Sequence, residues 1–82
     1  MKTITIEDCE RLRNVFHDYA KTAEQDEFMM LSLVDIKLQQ TIERYREAGE
    51  VTNQQEARTM CRVILRVIGK DYSEYKEEEN ED

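Results

Sequence analysis

Along most of the chain apolar residues recur every three or four positions, the period of a helix packed on one side. The first stripe runs from about Ile6 to Ala23 and comprises Cys9, Leu12, Val15, Phe16, Tyr19, Ala20 and Ala23. At about 100° per residue it is roughly 140° wide. Thr5 precedes it as a predicted N-cap, and Glu7 and Asp8 fill the first turn, where the helix dipole favours acids. The stripe stops at Glu24-Gln25-Asp26-Glu27. A turn is predicted there, with Asp26 capping the next helix; a kinked continuous helix is the alternative.

A second helix is predicted over about 27–48. Its main stripe is Met30, Leu31, Val34, Leu38, Thr41, Ile42 and Tyr45, and a second strip, Met29, Leu33 and Ile36, lies on another side. Gly49 is placed to end it, because glycine accepts the left-handed conformation that follows a helix. The third helix is predicted over about 53–69. Thr52 and Gln55 have the spacing of a capping box. Ala57, Met60, Cys61, Val63, Ile64, Leu65, Val67 and Ile68 then cover about 200° of the circumference, a width that predicts burial on two sides. Gly69 is a candidate terminator, but Tyr72 and Tyr75 continue the spacing and allow an extension to 76.

Before the first helix, residues 2–6 alternate like a strand. Ribbon-helix-helix DNA-binding dimers begin in this way, but so short a segment ahead of so long a helix reads better as an extended lead-in. The two predicted connections are short and favour antiparallel neighbours. With no Pro and two Gly in 82 residues, the expected fold is all-α: a small up-down-up three-helix bundle over 1–76, followed by a disordered acidic tail over 77–82. A chain of this length buries only about 60–65% of its unfolded surface, so self-association, as a homodimer, is expected.

Charge refines this picture. The net charge is −7, unevenly placed. Residues 1–27 carry 4 basic and 7 acidic side chains, residues 28–69 carry 6 and 5, and residues 70–82 carry 2 and 7. On the third helix Arg58, Arg62, Arg66 and Lys70 repeat every four residues, opposite the apolar face. This ridge has three readings: a solvated face, a dock for an acidic protein, or a set of phosphate contacts to nucleic acid. The acidic remainder of the chain argues against nucleic acid. Met29, Leu33 and Ile36 form the second candidate surface, either buried within the bundle or used as an apolar interface.

No catalytic or cofactor constellation is visible. His17 has no acid-base partner nearby in sequence and reads as a surface residue. Cys9 and Cys61 fall on apolar stripes and read as small hydrophobes of the core. Asp35 lies at the edge of the second helix's stripe and calls for an Arg or Lys partner. Glu43 and Glu47 are one turn apart, but Arg44 and Arg46 beside them indicate a solvated face rather than a metal site. Tyr72 and Tyr75 sit among acids; their spacing indicates aromatic closure of the bundle's end more than a modification site. No apolar run approaches the roughly 18–20 residues that span a bilayer, and no signal peptide is apparent, so a cytoplasmic protein with reduced thiols is expected.

The stretch from Leu38 to Asn53, with Gly49 and Val51-Thr52-Asn53, resembles small enterobacterial biofilm and acid-resistance regulators. The spacing on both flanks departs from that family, so no residue and no function is carried over. The expected function is non-enzymatic association with a protein partner, as a regulator or inhibitor. The alternatives are a nucleic-acid-binding regulator using the third helix, and an acidic inhibitor of a nucleic-acid-binding enzyme.

Overall fold

The computed structural model describes residues 2–75. They form α1 (Ile6–Lys21), α2 (Gln25–Ala48) and α3 (Gln54–Val67), followed by a single 3₁₀ turn (Ser73–Tyr75), with no strand among the described residues. The stretch 77–82, read as a tail, lies outside them, as does Lys76.

The helix ends follow local chemistry. Thr5 caps α1 in a full capping box: its hydroxyl accepts from the Asp8 N–H, and the Asp8 carboxylate accepts from the Thr5 N–H. A break at Thr22 and Ala23 separates α1 from α2, so the kinked continuous helix does not form. Glu24, not Asp26, is the N-cap of α2, and its side chain makes no capping bond. Asp26 sits instead in the first turn, where it still meets the helix dipole. For α3 the cap is Asn53 rather than Thr52; the Asn53 Oδ1 accepts from the Glu56 N–H. Asn caps at least as well as Thr and lies one residue nearer the apolar run. Gly49 and Gly69 both adopt positive φ, +80° and +78°. After Gly69 the Lys70 N–H reaches back to the Leu65 carbonyl and closes α3. Among the described residues α3 therefore does not continue as one helix to Tyr75.

Pairings across the helices fix their directions. Glu10 meets Arg46, Arg13 meets Asp35, and Ala20 and Lys21 lie beside Leu31, so α1 and α2 are antiparallel. Ile4 meets Gln54, and Leu12 and Val15 lie beside Leu65, so α1 and α3 run the same way. The fold is the expected up-down-up arrangement of three helices. α1 is its centre and packs on both others, whereas α2 and α3 touch little beyond their shared turn. The body measures 36 × 33 × 15 Å. Three helices at spacings of 8–10 Å in a regular bundle would be about 15 Å across in both short directions. The chain is flattened, and a cleft opens between α2 and α3.

The core is built from Ile4, Cys9, Leu12, Phe16, Leu31, Leu38, Ile42, Tyr45, Val51, Ala57, Cys61 and Ile64. Three residues expected in the stripes are exposed rather than packed against it. Met30, Val63 and Val67 are exposed, because neither α2 nor α3 has a neighbour on that side. The burial of α3 on two sides, expected from the width of its stripe, is thus not met within one chain.

Candidate functional site

The basic ridge of α3 is not a continuous surface. Arg58 is only 4% exposed. Its Nη2 donates to the Lys2 carbonyl at 2.6 Å, so the extended N-terminal segment lies across it. That segment is held a second time by Gln54, whose side-chain amide pairs with both the N–H and the carbonyl of Ile4, each at 2.8 Å. Gln54 thereby does for one residue what a neighbouring strand would do, and leaves few backbone groups for ribbon pairing. Further along the ridge Arg62 is half-buried, with its Nη1 3.5 Å from the Tyr75 carbonyl. Only Arg66 and Lys70 stand fully exposed. The segments around Lys2 and Tyr75 fold over the ridge and use its guanidinium groups as internal hydrogen-bond donors.

Asp8 anchors the same corner. It is buried beneath Lys2, at 3.7 Å, and Arg11, which also hydrogen-bonds to it. Burial works against its charge, but the bonds from Thr5 and the charges of Lys2 and Arg11 outweigh that and hold its pKa below the ordinary value of 3.8. The Lys2 ammonium lies 5.3 Å over the Tyr75 ring and 3.4 Å from Glu74, which draws the 3₁₀ turn onto α1 and α3. Tyr75 is half-buried against the core, as closure of this end requires.

At the α2–α3 turn Glu56 accepts from the Tyr45 hydroxyl and from Arg44, both at 2.5 Å. These two bonds lower the Glu56 pKa. Burial, and then the bond to Glu56, raise that of Tyr45. Asp35 finds the partner its position called for, with Arg13 Nε at 3.4 Å. Cys9 and Cys61 are both fully buried between α1 and α3. A hydrogen bond to Cys9, together with burial, pushes the Cys61 thiol up, away from the reactive thiolate. His17 is exposed at the rim of a small 190 Å³ depression beside Phe28 and Asp35. Glu43 and Glu47 are exposed. Among the described residues no three potential ligands converge on a metal position, and no helix is long and apolar enough to cross a membrane.

The largest departure from an ordinary surface is the first half of α2. Met29 is 74% exposed, Met30 71% and Leu33 69%, with Phe28 and Ile36 about half exposed. Leu31 and Val34, on the remaining side, pack onto α1. From Phe28 to Ile36 apolar side chains, interrupted by Ser32 and Asp35, occur on more sides of the helix than α1 covers, a pattern otherwise found in helices buried by neighbours. The strip Met29, Leu33, Ile36 is thus on the outside, and Met30 joins it. Across the cleft, α3 presents Val63 and Val67. The floor is a shallow groove of about 520 Å³ lined by Lys37, Thr41, Met60 and Val63, among others.

No protein-family model, curated protein or solved structure matches this chain.

Proposed function

We propose that the chain is a non-enzymatic module that regulates or inhibits by binding protein, and that the first half of α2 is its docking face. The observation that carries this reading is the ring of exposed apolar side chains from Phe28 to Ile36. Monomeric proteins rarely leave a contiguous apolar patch of more than a few hundred Å² uncovered, and larger ones mark interaction sites. Flexible methionines at its centre suit a face that repacks against another helix. The nucleic-acid alternative loses support from the burial of Arg58 and the half-burial of Arg62. Arg66 and Lys70 offer too few phosphate contacts for a chain of net charge −7. The acidic-inhibitor alternative is not favoured by α1, where Asp8 is buried and Glu10 is paired with Arg46.

A photo-crosslinking amino acid placed at Leu33, and separately at Arg66, tests the assignment in native host lysate. Crosslinks to protein from position 33 and none from position 66 are expected. Crosslinks confined to position 66, or to nucleic acid, would overturn it.

A further inference from the structure

We infer that the occupant of the α2 face is a second copy of this chain, with the two α2 helices packed antiparallel about a twofold axis at Leu33. This rests on the docking reading above and adds to it the identity and the register of the partner.

Self-complementarity is the first argument. At about 100° per residue, Met29, Leu33 and Ile36 fall within a 60° strip. An isologous interface requires each residue to meet its own mirror position. With Leu33 on the axis, Leu33 faces Leu33, and Met29 of one copy lies within one residue, about 1.5 Å along the helix, of Ile36 of the other. The apolar strip therefore lies against itself along most of its length.

Charge is the second. Asp26 and Lys37 are exposed on one flank of the strip, just beyond Leu33. In the antiparallel pair Asp26 of one copy approaches Lys37 of the other, offset by three residues, about 4.5 Å, within the reach of a lysine. In a parallel pair Asp26 and Lys37 would lie eleven residues apart along the axis, about 16 Å, and could not meet. The charges thus select one orientation, as flanking charges do in paired helices.

Area is the third. Met29, Met30, Leu33 and Ile36, with Val63 and Val67 across the cleft, expose roughly 300–500 Å² of apolar surface. A standard interface buries about 800 Å² per partner, about 65% of it apolar in homodimers, so the patch approaches one half of such an interface.

Sedimentation equilibrium of the full chain is the test. The wild type should give the dimer mass at micromolar loading. Leu33→Glu should give the monomer mass with unchanged helical circular dichroism, since Leu33 makes no core contact, and should raise Kd about 30-fold or more. Ile36→Lys is a second variant of the same kind. Asp26→Lys and Lys37→Asp should each weaken the dimer, and the double variant should restore it. A wild type that stays monomeric would overturn the inference while leaving the docking reading to the crosslinking experiment. A dimer indifferent to both Leu33→Glu and Ile36→Lys would place the dimer interface elsewhere and overturn the inference, again leaving the docking reading to crosslinking. A double variant weaker than either single one would overturn the register.

Discussion

Asp8 concentrates three interactions: a capping bond from the Thr5 N–H, an ion pair with Lys2, and one with Arg11. Its pKa is lowered in the folded chain. Between the folded and unfolded values the unfolded chain binds the extra proton, so stability rises with pH through that window. The contribution is fully present above about pH 4 and is lost as pH falls through the folded pKa. Urea midpoints measured from pH 6 to pH 2 should therefore drop below pH 4, and Asp8→Asn should start lower and flatten that part of the curve. Glu56, also lowered, adds to the same acid limb. Arg58 tests a different physical point. It is buried with no ion pair among the described residues, and its Nε has no hydrogen-bond partner. Arg58→Met keeps the packing volume and removes a buried charge, so its unfolding free energy should stay within about 1 kcal/mol of wild type or exceed it. Arg58→Glu should unfold the chain, because it buries a charge of the wrong sign against the Lys2 carbonyl. A loss of binding in that variant would report misfolding, not a nucleic-acid contact. Periodicity put Arg58 on the arc opposite the apolar stripe, and in the structure it is buried there. It did not reveal the cover, because nothing in residues 2–5 announces that Ile4 will pair with Gln54 some 50 positions away.

At the scale of elements, what was legible was what is encoded locally. The Thr5 cap, the stop at Gly49 and the stop at Gly69 each follow from one residue's conformational preference and its neighbours. The cap of α3 was misplaced by one position because Thr52 and Asn53 are both competent, and the choice depends on the chain's approach from Val51, which is buried. Gly49 makes the local argument quantitative. Its φ is +80°, and a Cβ built there meets nothing within 4 Å. The cost of Gly49→Ala is therefore backbone strain alone, about 1 kcal/mol. Thermal or urea unfolding should show that loss, and Gly49→Asn should lose less, since Asn tolerates the left-handed region better. A loss of several kcal/mol would mean that the turn is tied to the α2–α3 cleft more tightly than its open surroundings imply. The burial of α2 and α3 was less legible. Periodicity gives the width of an apolar stripe, but not whether the same chain supplies a neighbour for all of it. Met30, Val63 and Val67 lie on stripes as apolar as the core itself, and they are exposed because the third side of the bundle is left open.

For the whole molecule the open side becomes an energetic statement. A chain of 82 residues with a one-sided α2 has few buried contacts to spare. If two copies share the α2 face, part of their stability comes from association, and mass action makes it concentration-dependent. A tenfold rise in concentration is worth about 1.4 kcal/mol per dimer, or about 0.7 per chain. For a domain of this size 1 kcal/mol moves the melting midpoint by about 4–8 °C. Melts recorded at 5 and 50 µM (roughly the working range of circular dichroism) should therefore differ by about 3–6 °C, the higher concentration melting later. Leu33→Glu should melt at one temperature regardless of concentration, close to or below the dilute wild type. Its own fold should persist, because α1 still buries Leu31, Leu38 and Ile42, and none of these depends on the exposed strip. A wild type whose midpoint ignores concentration would mean that the three helices are stable with the apolar face uncovered, and that the face serves a partner other than the chain itself.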